Sequence, residues 1–281
     1  MTLTVGYAPF GTDPAGEFNF ELPKKKGLIY FEDSPRRMRA IFAGETIVDS
    51  ARAKLLHEHG HLPLHYFPEE DVRTDLLEPT DHHTHCPFKG DASYRSVRVG
   101  DRVAENAVWH YPEPLATAPW LEGYAAIYWS KMDEWLEEDE PAVVHARNPY
   151  TRVDVLDTSR HIKVLVNGET VAETSRARAL FETSLPPRWY IPREDVREDM
   201  LVESDTRSGC AYKGFASYYS VEAGGERADD VVWYYTDPRP DAARVRDYLC
   251  FYNEQVDIEV DGEPQERPET KFSPNRRKAH A

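Results

Sequence analysis

The chain has 281 residues, of which 50 are acidic and 34 basic, for a net charge of −16. That balance repels nucleic acid and anionic membrane, so neither is expected as a main partner. The 3 cysteines are too few for a disulfide framework, and no stretch approaches the ~20 apolar residues of a membrane span. Met1 to Pro23 has no basic segment leading into an apolar run, which argues against a secretory signal. A reducing, cytoplasmic setting is expected.

Residues 1–26 read as an arm rich in Pro, Gly and Phe that ends in Lys24-Lys25-Lys26. Leu28 to Phe31 reads as a strand. Met38 to Phe42 is a second, turning at Ala43-Gly44 into Thr46 to Asp49. Ala51 to Leu56 is expected as one or two helical turns, and His65 to Pro68 as a short strand closed by proline. A long loop through Cys86 and Lys89 follows. Tyr94 to Val99, Ala107 to Tyr111 and Tyr124 to Trp129 are rich in aromatic and branched residues and read as strands. The acidic stretch Ser130 to Glu140 is expected as a short helix, with a linker over about residues 141–150.

The same series then recurs. Ile162 to Val166, Asn167-Gly168 and Glu169 to Ala172 form a hairpin signal, because both turn residues tolerate positive φ. Ser175 to Phe181 repeats the helical turns, Trp189 to Pro192 the proline-closed strand, and Val256 to Val260 reads as a closing strand. The tail carries a basic triplet, Arg276-Arg277-Lys278.

The recurrence has a constant offset of 124. Tyr66-Phe67-Pro68-Glu69-Glu70-Asp71-Val72-Arg73 meets Tyr190-Ile191-Pro192-Arg193-Glu194-Asp195-Val196-Arg197. Cys86-Pro87-Phe88-Lys89-Gly90 meets Cys210-Ala211-Tyr212-Lys213-Gly214, and Val108-Trp109 meets Val232-Trp233. The chain is thus read as an arm (1–26), a first copy (27–140), a second copy (151–265) and a tail (266–281). About seven short strands per copy, with turns every 8–12 residues, predict a mainly β fold built as a small sandwich or barrel. Copies of one sequence tend to pack about a twofold axis, so an intramolecular pseudo-dimer within a monomeric chain is expected.

The densest match between the copies lies in polar segments rather than in apolar strands. Cys86 and Lys89, with Cys210 and Lys213, form a Cys-x-x-Lys-Gly unit. An ammonium beside a thiol favours the thiolate and makes a nucleophile. The alternative is a small buried cysteine with its lysine paired to a carboxylate such as Asp71 or Asp81. Asp71 and Arg73 would orient a ligand or pair with each other. Trp109 and Tyr111, repeated as Trp233 and Tyr235, fall on one face of a strand, as pocket wall or as core. Tyr94 and Tyr218 carry hydroxyls able to donate. Copy 1 alone has His82, His83 and His85. Their spacing matches no standard zinc set, so no metal is expected, and His85 reads as an acid/base or ligand contact. Motifs for nucleotide phosphates, serine hydrolysis and zinc proteolysis are absent.

The run from Tyr66 to Val72, with Asp75-Leu76-Leu77, Thr84-His85-Cys86-Pro87-Phe88-Lys89-Gly90-Asp91-Ala92-Ser93-Tyr94, Glu105-Asn106-Ala107-Val108-Trp109 and Gly123-Tyr124, resembles the DUF427 family of the actinobacterial type. Copy 2 follows the pattern more loosely, with Gly209 for the histidine and Ala211 for the proline. The resemblance implies a small, curved, antiparallel β domain of the β-tent kind. Zinc in that group sits between Cys-x-x-Cys pairs, which this sequence lacks. The family is sometimes labelled nucleotidyltransferase-like, yet the paired-carboxylate, Gly-Ser signature of such enzymes is missing.

Two functional readings remain open. In one, copy 1 holds a small-molecule pocket and acts as an enzyme through Lys89, Cys86, His85 and Tyr94. Asp71, Arg73, Trp109 and Tyr111 would contact the ligand, with Cys210, Lys213, Tyr218 and Trp233 as the copy 2 counterparts. In the other, the chain is a non-catalytic ligand- or protein-binding module and the repeated motif is structural. Neither reading calls for a cofactor.

Overall fold

The computed structural model describes residues 4–5, 13–14, 16–19, 27–58 and 60–274. Most of the arm expected over residues 1–26, and the triplet Arg276-Arg277-Lys278, lie outside the described residues. Within the arm, β1 (Thr4–Val5) pairs antiparallel with β2 (Asp13–Pro14). The chain divides into two compact units, with the boundary in sequence between Asn148 and Pro149.

The first unit contains β3 (Ile29–Asp33), β4 (Met38–Phe42), β5 (Glu45–Ser50), β6 (Lys54–Glu58), β7 (Leu64–Pro68) and β8 (Leu77–Cys86). It continues with β9 (Gly90–Val99), β10 (Arg102–His110), β11 (Tyr124–Ile127), β12 (Glu134–Glu137) and β13 (Glu140–Pro141). Seven of these form one antiparallel sheet in the order β3-β6-β7-β11-β10-β9-β8, and four form a second, β13-β12-β4-β5. Both orders are open, so among the described residues no barrel closes. The second unit repeats the plan with β14 (Val153–Asp157), β15 (Ile162–Val166), β16 (Glu169–Thr174), β17 (Arg178–Glu182), β18 (Arg188–Ile191) and β19 (Leu201–Cys210). It closes with β20 (Gly214–Ala223), β21 (Glu226–Tyr234), β22 (Leu249–Phe251), β23 (Asp257–Val260) and β24 (Glu263–Pro264). Its sheets are ordered β14-β17-β18-β22-β21-β20-β19 and β16-β15-β23-β24, strand for strand the arrangement of the first.

The expectation of a mainly β chain with two tandem copies of one antiparallel domain therefore holds. So does the hairpin signal, for Asn167 and Gly168 both turn through positive φ, at 49° and 84°. The expectation of about seven strands per copy was too low, and three segments differ in kind. Ala51 to Leu56 and Ser175 to Phe181 are not helical turns but lead into β6 and β17. Each short apolar run there is claimed by neighbours on both sides, β3 and β7 for β6, and such runs are ambiguous in period. The loop expected through Cys86 is instead the ten-residue strand β8, which pairs with β9 alone. As a sheet edge it is exposed on both faces and shows no apolar alternation. Ser130 to Glu140 is not a helix, since β12 within it pairs with β4 and buries Trp135.

Successive side chains of a strand point to opposite faces, and the seven-stranded sheet uses both. On one face Phe67, Val97, Val108 and Ile127 pack against Met38, Ala40 and Phe42 of the four-stranded sheet. On the other face Tyr66, Tyr94, Trp109, Tyr111 and Leu56 form a separate cluster. Copy 2 divides the same way, with Tyr190, Tyr218, Trp233 and Tyr235 on the second face. Among the described residues no helix is long and apolar enough to cross a membrane.

Candidate functional site

The Cys-x-x-Lys-Gly unit is the turn between β8 and β9. Cys86 ends one strand and Gly90 begins the next, with the Lys89 N–H donating to the Cys86 carbonyl at 3.2 Å. Gly90 has φ +107, and a Cβ there would meet the Glu113 carbonyl oxygen at 3.3 Å. Glycine is needed for both reasons. The approaching segment pins the turn, because the Leu115 N–H donates to the Lys89 carbonyl at 3.0 Å and Thr117 Oγ1 to that of Phe88 at 2.9 Å. Copy 2 repeats this at Gly214 (φ +96), with Arg239 N–H on the Lys213 carbonyl at 3.1 Å.

Folded inward, Lys89 is buried. Its Nζ donates to Glu58 Oε2 at 2.6 Å, at the end of β6, and lies 5.9 Å from the centre of the Tyr111 ring. Lys213 pairs with Glu182 in the same way. Burial works against the Lys213 charge, but Glu182 and the neighbouring Cys210 outweigh it and raise its pKa. Cys86 and Cys210 are half-buried beside these pairs, whereas Cys250 is buried and its thiol is pushed up by loss of solvent.

Aromatic rings continue the cluster. Tyr94 and Trp109 are direct cross-strand partners on β9 and β10. The Tyr128 ring packs on Trp109 with centroids 4.4 Å apart. The Tyr94 hydroxyl reaches Thr84 Oγ1 at 3.0 Å and the Tyr128 hydroxyl at 3.4 Å. Burial raises the Tyr111 phenol, with Cys86 and Glu58 adding to the effect. Tyr128 is pushed up to about 12 by burial and by its bond to Tyr94. Tyr66 is fully buried, and loss of solvent pushes its phenol well up while a hydrogen bond with Trp109 works against that rise. In the copy 2 equivalent Trp233 Nε1 donates to the Tyr190 hydroxyl at 3.0 Å. There the Tyr218 hydroxyl meets Ser208 at 2.6 Å and Tyr252 at 3.3 Å.

Lys89, Cys86, Tyr94, Trp109 and Tyr111 are thus brought together, as are Lys213, Cys210, Tyr218 and Trp233. The other candidates engage different neighbours. His85 lies across from Asp91 on the exposed β8–β9 pair, Nδ1 to Oδ1 2.6 Å. His82 sits edge-on to Tyr94 at 4.5 Å, and His83 lies 3.4 Å from Ser93 Oγ. Asp71 accepts from Ser50 Oγ at 2.6 Å and Arg52 Nη2 at 2.5 Å, while Arg73 forks onto Asp75 at 2.8 and 2.7 Å. Copy 2 repeats both arrangements at Asp195 and Arg197. These contacts hold the short turns after β7 and β18. Among the described residues no group of three His, Cys, Asp or Glu side chains is placed to hold a metal ion.

Sequence reasoning missed Glu58 with Glu182 as the lysine partners, and Tyr128 with Tyr252 as parts of the cluster. The signal was present, since each pair is identical at the offset of 124.

The two clusters differ at their outer side. Tyr128 is 40% exposed and Tyr252 only 5%. In copy 2 the Phe272 ring packs 5.7 Å from that of Tyr252. Beside it Arg188 is buried against Glu254, with bonds of 2.7 and 2.6 Å, and its guanidinium lies over the rings of Trp233, Tyr252 and Phe272. Copy 1 has Leu64 and Ser130 at the matching positions.

The family model for a domain of unknown function, DUF427, matches residues 30–138 and again residues 154–262. No curated protein matches the chain.

Proposed function

The chain belongs to the DUF427 family, twice over in tandem, and within it we propose that copy 1 binds a small molecule on its aromatic face. Trp109 and Tyr128 form the wall against which a planar, unsaturated group stacks. Lys89, braced by Glu58, and the hydroxyls of Tyr94 and Tyr111 supply donors for an oxygen-bearing substituent. Cys86, half-buried at the rim, is the candidate nucleophile if binding leads on to covalent chemistry. The unpaired thiols of Cys86, Cys210 and Cys250 support a reducing, cytoplasmic setting.

The observation that carries this reading is the Lys–Glu pair set among phenols in both copies, its lysine buried each time and its glutamate buried in copy 2 and partly buried in copy 1. Burying two charges is expensive, and apolar residues of similar volume often serve stability as well or better. Retention of the pair at two duplicated positions therefore supports a use for the charge. Exposure of Tyr128 supports access from one side.

A second reading is favoured by copy 2, where the same pair persists beneath a face that Phe272 covers. On that reading the motif is structural and fixes the β8–β9 turn. The deciding experiment incubates the intact chain with a small-molecule extract, removes unbound material, and identifies retained compounds by mass spectrometry. A compound held by the wild type and lost from Lys89→Met/Glu58→Leu, with the fold intact, is the expected result. Identical retention, or none by either protein, would leave only the structural reading.

A further inference from the structure

Copy 2 carries an occupant of its own on the aromatic face, and its contacts define what that face accepts. Residues 268–274 run past the end of β24 and fold back onto the unit. Thr270 Oγ1 donates to Glu254 Oε1 at 2.5 Å. The segment is tied into a small loop, because the Phe272 N–H donates to Thr270 Oγ1 and the Ser273 N–H to the Thr270 carbonyl, at 3.0 and 3.1 Å. The loop presents the Phe272 ring to Tyr252 and to the guanidinium of Arg188. Arg188 and Glu254 are themselves buried, at 4% and 0% side-chain exposure, and bound to each other by two hydrogen bonds. The receiving surface is therefore fixed in place beneath the segment: a charge-assisted platform with one carboxylate oxygen directed at a hydroxyl donor.

We propose that the copy 2 face, built from Tyr252, Trp233, Arg188 and Glu254, is a peptide-binding site for an aromatic side chain two residues after a hydroxyl residue, occupied in cis by residues 268–274. An aromatic ring gains both from stacking and from the cation above it. The hydroxyl selects through Glu254. Copy 1 lacks both polar determinants, with Leu64 for Arg188 and Ser130 for Glu254, so the site belongs to copy 2 alone. Because no part of it involves Lys89, Glu58 or Tyr128, it stands or falls separately from the small-molecule reading of copy 1.

Two measurements on the full-length chain test it. In the first, a seven-residue peptide with the sequence of residues 268–274 is titrated calorimetrically into wild type and into Thr270→Ala/Phe272→Ala, which frees the site. The variant is expected to bind one peptide per chain at least tenfold more tightly than wild type. A control peptide with alanine for the phenylalanine should not bind. No binding by a natively folded variant, or equal binding by wild type, overturns the proposal. Binding of the control peptide as tightly as the original removes the aromatic requirement and overturns it too. In the second, hydrogen exchange of the unmodified chain is followed by mass spectrometry, which needs no variant to fold. Residues 270–273 are expected to exchange at least tenfold more slowly than an unstructured chain, and exchange at the unstructured rate overturns the docked segment itself.

Discussion

Lys89 and Glu58 give up hydration to meet inside the unit, and each is tolerable there only because of the other. Removing Lys89 leaves Glu58 as a largely desolvated, uncompensated charge. Lys89→Met alone is therefore expected to lower stability by about 3–5 kcal/mol, whereas Lys89→Met/Glu58→Leu should return to within about 1 kcal/mol of wild type. Urea unfolding of the two variants checks this, and equal losses would mean that the pair is not the governing contact. His65 is a second buried titratable group, stacked on Phe67. Burial, assisted by Arg36 and His57, pushes its pKa down to about 3. The unfolded chain binds that proton near pH 6.5 and the folded chain does not, so stability is full above pH 6.5 and is lost as pH falls towards 3. The slope from this residue is about 1.4 kcal/mol per pH unit. Copy 2 has Trp189 at the same place. His65→Phe should therefore flatten the fall in stability between pH 6 and pH 4 by about that slope, as read from denaturant midpoints across the range. An unchanged profile would show that His65 is reached by water.

At the scale of elements, the β8–β9 hairpin is set by a backbone position rather than by apolar pattern. Gly90 combines a φ of +107 with a carbonyl only 3.3 Å from where a Cβ would stand. Gly90→Ala should lower stability by about 1–3 kcal/mol and displace the Lys89 turn. Gly44 offers the contrast. Its φ is +82, yet nothing lies within 4 Å of a Cβ there, so Gly44→Asn should cost less than Gly90→Ala. Thermal midpoints of the two variants rank these effects, and a larger loss at Gly44 would refute the packing argument. Bulges act alongside the glycines. The register of β9 and β10 shifts between Ala104 and Val108, where Asn106 adopts a φ of 51°. Its side chain accepts from Thr80 Oγ1 at 2.7 Å. A bulge of this kind bends the strand and re-aims the side chains that follow, and Trp109 is among them.

At the scale of the whole chain, each unit has its own pair of sheets and its own apolar core. Units of this size can fold alone. A fragment of residues 27–148 and another of residues 149–281 are each expected to give a cooperative thermal transition. A fragment that stays unfolded would show that its core needs the rest of the chain. Duplication also leaves room for the copies to diverge. The Lys–Glu pair and the tyrosine cluster recur in both, while Arg188, Glu254 and Phe272 have changed the outer side of the second.

Signals that act over a few residues were legible in the linear chain. The offset of 124 exposed the duplication, and Asn167-Gly168 declared its hairpin because its φ preference is local. The spacing of Trp109 and Tyr111 put them on one face because strand geometry alternates. The Cys-x-x-Lys-Gly unit stood out by its repetition, although its lysine partner did not. Glu58 lies 31 residues from Lys89, and they meet only because β7, β11 and β10, which lie between β6 and β9 in the sheet, set the register between them. Edge strands such as β8 escaped notice because exposure on both faces removes the apolar alternation that marks a half-buried strand. The covering of Tyr252 by Phe272, and the openness of Tyr128, were likewise decided by tertiary structure, since accessibility depends on what the rest of the fold lays over a side chain.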